Sequence, residues 1–368
     1  MDGLRGLSEF GAALAGVRLV GLGESTHGTA EFFRLKHRLV EYLVTEHGFR
    51  TFAMEASASA APAVDAYVRG RGGAAEGAAV LAGLGFWTWR TREVLDLLEW
   101  LRAYNRGRAP AEQVGFAGID PQRCGASVAH FGDRAGALAV LAEAHPGALP
   151  ERRAELTQAA RALADGLSAP EDVRHARILT RAADVVTRPR PDVFGVRDGY
   201  MADAVDELLA ATDAGIALWA HNGHVAVREG GMGGRLRERH GSAYYALGLF
   251  FGEGAFRARR MWPGPWGPRT KRPSPVAVNR VGPPPPGSLE ALLADRGEHV
   301  RDLRGAEEPW HRESLGSRSY GAYVARLVYR RNVMPTVPGE EYDGLAYVPV
   351  STPSVPLRVR PRGSRGAA

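Results

Sequence analysis

A single cysteine, Cys124, stands in 368 residues. That scarcity excludes an internal disulfide and any metal cage built from several thiolates, and it agrees with a reducing cytoplasm. Lysine is almost as rare: of the 47 basic residues only Lys36 and Lys271 are lysine, and the rest are arginine. The formal charge of +6 therefore comes from arginines scattered among 41 acids. There is no basic block of the kind that tracks a phosphate backbone, so nucleic acid is not an expected partner. No run approaches the roughly 18 apolar residues that a membrane span needs, and residues 1–16 show no apolar stretch behind a basic start. The expectation is a soluble cytoplasmic protein without a membrane partner. Also missing is the Gly-x-Ser-x-Gly nucleophile elbow, which removes the usual route of the α/β-hydrolases.

What is present is organised around Gly21-Leu-Gly-Glu24-Ser-Thr-His27-Gly28. An apolar run, 17–22, precedes it, and Phe32, Leu35, Leu39, Tyr42 and Leu43 follow at helical spacing until Gly48 stops the pattern. The stretch reads as a strand entering a turn that displays a carboxylate and an imidazole, with glycines letting the backbone turn sharply. Phe49 to Glu55 is a second strand ending in an acid, and Val114 to Asp120 a third. Ile216 to Ala220 is a fourth, delivering His221-Asn-Gly-His224 at its tip, and Tyr244 to Phe251 a fifth, with Phe256 to Met261 as a sixth.

Strands alternating with helices predict an α/β fold with a mostly parallel central sheet. Residues from about 135 to 188 have helical spacing and no strand signal, so they read as an all-helical insertion roofing the cleft. The organisation expected is a first part of the α/β core over 1–130, a helical insertion over 131–192 and the second part of the core over 193–368. Residues 262–288, rich in Pro and Gly, read as a long loop without regular structure. Leu289 to Leu293 and Tyr320 to Tyr329 carry short helical patterns, and Tyr342 to Val350 reads as a last strand.

Glu24, His27, Glu55, Asp120, His221 and His224 all fall at or just beyond the carboxyl ends of expected parallel strands, the edge where open α/β sheets place ligands. Cys124 has no histidine beside it in sequence, so water is the expected nucleophile, activated by a histidine that a carboxylate orients. The competing chemistry is a divalent metal held by two histidines and the carboxylates, because Glu24-x-x-His27 and His221-x-x-His224 do not discriminate between the two. Trp87, Trp89 and Arg90, between Gly85 and the helix 93–104, form either an aromatic wall for a ligand or core beneath a loop.

These residues resemble the erythromycin esterase family. The similarity is carried by 21–33, by 47–57, by Trp87-Thr-Trp-Arg-Thr91 with 100–105, by Arg197-Asp-Gly-Tyr-Met-Ala202, by 218–225 and by Phe251-Gly-Glu-Gly254. The resemblance implies metal-independent hydrolysis of an ester or lactone, without a cofactor, on a macrolide or peptide-derived natural product. It implies His27 as general base for water, Glu24 and Glu55 positioning it, and His221 and Arg197 acting on the ester as charge develops. It leaves open which of His221 and His224 faces the substrate. The accompanying substrate-binding candidates are His224, Asp120, Gln122, Trp87, Trp89, Arg90 and Tyr200. Acyl or group transfer on the same residues, or binding without turnover, are the alternatives.

Overall fold

The computed structural model describes residues 4–71, 77–189, 192–261, 274–305, 308–331 and 333–357. Among them the strands are β1 (Leu19–Leu22), β2 (Thr51–Ser57), β3 (Gly115–Asp120), β4 (Ile216–Trp219), β5 (Tyr244–Met261), β6 (Val276–Val281), β7 (His299–Asp302), β8 (Leu315–Arg318), β9 (Tyr323–Ala325), β10 (Val333–Thr336) and β11 (Gly344–Ser351). The central sheet runs β3-β2-β4-β1-β5-β11-β7, and every neighbour on that path is parallel except β7 at the edge. The fold is α/β with a mostly parallel central sheet, as the strand and helix alternation predicts.

The register decides where the chemistry emerges. Leu19 is level with both Ile216 and Tyr244, and Thr51 is level with both Ile216 and Gly115. The strands therefore start in line, and β4 returns to insert between β1 and β2. Groups leaving β3, β2, β4 and β1 stand side by side on one edge in that order.

Side chains along these strands alternate faces with the two-residue period of extended chain. Val20, Leu22, Phe52, Met54 and Trp219 pack against Phe33 and Leu39 of the helix Ala30–Glu46 and against Leu97 and Leu98 of the helix Arg92–Asn105. Leu19, Ala53, Ile216 and Leu218 face the other way, onto Met201 and Val205 of the helix Val193–Ala210 and Leu236 of the helix Met232–His240. A third core belongs to the helical segment. There Leu156, Leu179, Ala182 and Val186 close over Leu138 and Leu141, and this core takes in Cys124 and Phe131 from the stretch that leads into it.

Three expectations are corrected. Tyr244 to Met261 is one continuous strand, not two, because the Gly252-Glu253-Gly254 interruption is bridged by pairing with β11. Within the Pro-rich stretch, Val276–Val281 is a strand antiparallel to the second half of β5. Its valines favour extended backbone, and no proline falls inside it. Residues 262–273 of that stretch lie outside the described residues. Tyr320 to Tyr329 is not a helix: Tyr320, Val324 and Tyr329 are all buried, but they reach the core from a bridge, the short strand β9 and a 3-10 turn. Their helix-like spacing is met by packing around Phe256, whose ring stacks on Tyr320 at 4.7 Å.

Candidate active site

The turn between β1 and the helix Ala30–Glu46 buries Glu24 completely and leaves His27 8% exposed. His27 Nδ1 lies 2.7 Å from Glu24 Oε1. A carboxylate can only accept, so Nδ1 carries a proton, and in the neutral ring the lone pair is the one on Nε2. Among the described residues, no protein group meets that Nε2, and it is not among the sealed, unpartnered atoms. The neighbouring glycines act through space rather than through backbone conformation, since neither Gly23 nor Gly28 adopts a positive φ. A Cβ on Gly23 would come 2.1 Å from Asn222 Oδ1, and one on Gly28 would come 2.0 Å from the Arg257 carbonyl. The turn is pinned on three sides: Asn222 N–H donates to the Glu24 carbonyl at 2.8 Å, Tyr320 N–H to the Ser25 carbonyl at 2.6 Å, and Arg257 N–H to the Gly28 carbonyl at 3.1 Å.

Glu24 Oε2 accepts from Lys36 Nζ at 2.9 Å and from Trp219 Nε1 at 3.1 Å. Lys36 is fully buried, its ammonium 4.5 Å from the Trp219 ring centroid. Burial pulls Lys36 down to about 8 against the opposing pull of Glu24. The sequence reading passed over this residue. Its signal was spacing: Lys36 lies four residues after Phe32 and four before Val40, inside the apolar stripe of its own helix.

A second network stands beside the first. Arg197, on the helix Val193–Ala210, donates from Nε to Asp120 Oδ1 at 3.3 Å, from Nη2 to Asp120 Oδ2 at 2.7 Å, and from Nη2 to Glu55 Oε1 at 2.8 Å. Burial works against its charge, but Asp120 and Glu55 outweigh burial and raise its pKa further. Burial likewise pushes Glu55 up, yet His224 and the Arg197 charge hold its carboxyl well below the usual range. His224 has Nδ1 2.8 Å from Asp198 Oδ1 and Nε2 3.3 Å from Glu55 Oε1. Burial alone would lower it, and Arg197 Nη1 stands 3.0 Å from its Nε2, but Glu55 and Asp198 lift it to about 10, which favours the imidazolium. The sequence reading included Asp198 in the block 197–202 but gave it no role in the site, because nothing in spacing announces that it meets His224.

His221 differs from His224 in every respect. Its Nδ1 accepts from the Gly223 N–H at 3.1 Å, capping the short helix Asn222–Val225. Its backbone N–H donates to Glu55 Oε2 at 3.0 Å. Burial holds the His221 ring well below the ordinary imidazole value, so it is neutral. With Nδ1 accepting, the proton sits on Nε2, which is buried and, among the described residues, has no partner. The His221 and His27 ring centroids are 5.0 Å apart.

The structure thus brings Glu24, His27, Glu55, Asp120, Arg197, His221 and His224 together. Gln122 joins them by bracing Asp120, through its backbone N–H to Oδ1 and its Nε2 to Oδ2, each at 2.9 Å. Trp89 is core: it is 2% exposed, donates from Nε1 to the Glu55 carbonyl at 3.0 Å, and meets the His27 ring edge-on at 5.4 Å. Trp87 and Arg90 are half-buried, and the Arg257 guanidinium lies 5.3 Å from the Trp87 ring centroid. Tyr200 is drawn elsewhere, its hydroxyl donating to Asp184 Oδ2 at 2.8 Å. The oxygens of Glu24, Glu55 and Asp120 each already receive a donor from Lys36, Trp219, His27, Arg197, Gln122 or the His221 amide. A divalent ion here would have to displace those donors, and the ring nitrogen left open to it is His27 Nε2.

This arrangement defines a class: an α/β sheet protein with a carboxylate-oriented histidine at the carboxyl edge of its parallel strands. The chain belongs to the erythromycin esterase family, whose sequence profile matches residues 44–351. The match takes in Glu55, Asp120, Arg197, His221 and His224 and begins after the turn that carries Glu24 and His27. An erythromycin esterase type II of Escherichia coli is 34% identical over 110 residues, which make up 30% of this chain and 25% of that protein. The chain thus matches about a quarter of that relative's length. The fold is shared with a succinoglycan biosynthesis protein (20% identity, 95% of this chain and 92% of that one, TM-score 0.77) and with a Bacillus cereus protein (22% identity, 96% and 93%, TM-score 0.75). It is shared too with a mutant of the erythromycin esterase EreC in its open conformation (20% identity, 95% and 94%, TM-score 0.64).

Proposed function

We propose that the chain is a hydrolase of the erythromycin esterase type that adds water to the acyl carbon of an ester or lactone, the substrate being a macrolide or peptide-derived natural product. The observation that carries this reading is His27: Nδ1 is committed to Glu24, Nε2 is free, and the neutral His221 stands 5.0 Å away ring to ring. His27 Nε2 takes a proton from water as its oxygen attacks the carbonyl carbon. Glu24, paired with Lys36, stabilises the imidazolium that forms. The carbonyl oxygen gains negative charge in the tetrahedral intermediate, and the unpartnered Nε2–H of His221 is the donor available to it. Arg197 and His224 supply fixed positive charge behind Glu55 and Asp120. The proton on His27 then passes to the leaving alkoxide, restoring the base. No metal enters this scheme, which the occupied carboxylate oxygens support.

Incubation with a panel of macrolides, depsipeptides and peptide esters in heavy-oxygen water tests the proposal. A product heavier by one water, with the label in the new carboxylate, supports hydrolysis. Acyl transfer to an added alcohol or amine without label, or tight binding with unchanged ligand, would replace it.

A further inference from the structure

A groove of about 470 Å³ opens on the far side of the β2 and β3 exits, between Ser59, Ala60 and Pro62 on one wall and His130 and His175 on the other. His130 lies on the helix Gly125–Phe131, and Glu171 and His175 lie one turn apart on the helix Pro170–Thr187. Among the described residues these three form the group of metal-ligating side chains whose donor atoms converge, all lying within 4.8 Å of one another. Helical spacing of four places Glu171 and His175 on one face, and the His130 and His175 rings stack at 4.1 Å and 21°.

We propose that His130, Glu171 and His175 form a binding site for a late first-row divalent cation, zinc being the representative, independent of the catalytic cluster. Both imidazoles are arranged as metal ligands are. Ligating histidines tie their second nitrogen to an acceptor, which fixes ring and tautomer. His175 Nδ1 lies 2.8 Å from Ser127 Oγ, whose own proton goes to Ser59 Oγ at 2.9 Å, so Ser127 accepts from Nδ1–H and Nε2 keeps the lone pair. His130 Nε2 lies 2.6 Å from Asp172 Oδ1, which holds that ring and leaves its other nitrogen free.

The place is held by a cation already: Arg174 Nη2 lies 2.7 Å from His175 Nε2. A metal would displace this guanidinium. Tetrahedral zinc at about 2.0 Å from each ligand needs donor atoms about 3.3 Å apart. The remaining contraction falls on the exposed side chains of His130 and Glu171. Nitrogen and carboxylate ligands in this mixture suit zinc rather than calcium or magnesium. The ion would tie the helical segment to the helix that follows the Asp120 strand.

The test is equilibrium dialysis of chelator-stripped full-length protein against zinc chloride, with cobalt(II) as a spectroscopic substitute. One zinc per chain, a tetrahedral cobalt spectrum, and a loss of affinity of about tenfold or more in His130→Asn/Glu171→Gln are expected. Both substituted side chains are exposed, so folding is not at stake; a circular dichroism spectrum matching the parent checks this. His27→Asn keeps full zinc binding, and Arg174→Gln, which removes the competing cation, binds zinc more tightly. Absence of stoichiometric zinc, unchanged affinity in the double variant, loss of binding in His27→Asn, or no gain in Arg174→Gln would each overturn the assignment.

Discussion

Lys36 Nζ sits 2.9 Å from Glu24 Oε2 with neither side chain reached by solvent, so the carboxylate that orients the His27 imidazole is itself neutralised from inside the protein. Glu24 is thereby bound on one oxygen by its cation and on the other by its histidine, and neither contact depends on substrate.

Removing one partner of a buried ion pair leaves the other charged and unsolvated. Lys36→Met should therefore destabilise the fold by about 3–5 kcal/mol. Lys36→Met/Glu24→Gln should regain most of that loss while remaining inactive. Urea denaturation followed beside ester hydrolysis separates the two effects; a double variant that stays as unstable as Lys36→Met would show that the pair is not the cause.

His27→Ala should lower hydrolysis by about 10²–10⁴-fold, the usual worth of a positioned general base. Its stability should fall only by what the Nδ1 bond to Glu24 contributes, about 1–3 kcal/mol, because Nε2 holds nothing in the described structure. Collapse of the fold in this variant would make His27 a structural residue instead.

His221→Ala should reduce kcat by about 10²–10³-fold with little change in KM, as expected of a donor used when the oxyanion develops. His221→Gln, which restores an N–H near the same place, should recover part of the loss. Equal kcat in the parent and His221→Ala, measured under saturating substrate, would remove His221 from the reaction.

The two buried cations give opposite pH signatures. His224 is raised to about 10 from 6.5, so its contribution to stability is fully present below pH 6.5 and disappears as pH rises through about 10. Lys36 is lowered to about 8 from 10.5; the unfolded chain holds the extra proton between those values, so this group makes stability rise with pH there. Comparing the parent with His224→Gln isolates the first. The difference in melting temperature should be largest below pH 6.5 and should shrink toward pH 10; a difference that grows with pH would mean a neutral His224.

The groups at the four strand ends were legible in the sequence, since short apolar runs closing on Glu55, Asp120 and His221 need only a parallel register to converge. What was not legible depended on docking. Asp198 reaches His224 only because the helix Val193–Ala210 lies across the sheet edge, and Lys36 looked like a compositional oddity until the Ala30–Glu46 stripe was seen to bury it. The glycines of the turn were read for backbone freedom, whereas Asn222 and the Arg257 carbonyl leave no room for a side chain there. Tyr320 and Tyr329 misled because residues spaced to cover one aromatic ring imitate a helical face.

The long strand β5 touches the turn that carries Glu24 and His27 twice, at Leu247 beside Gly23 and at Arg257 beside Gly28. Drawn straight, the ten steps between those contacts would cover about 33 Å. The five steps of the turn reach about 18 Å at most. Even with about 5 Å for each cross-strand bond, the two lengths match only if β5 is bowed, and Gly254, at φ 120°, lies within the bow. The turn is its string. Curvature of a strand that contributes no reacting group thus sets the span across Glu24 and His27, and a Cβ at Gly254, which would come 2.1 Å from the Ser351 carbonyl oxygen, would disturb it from outside the site.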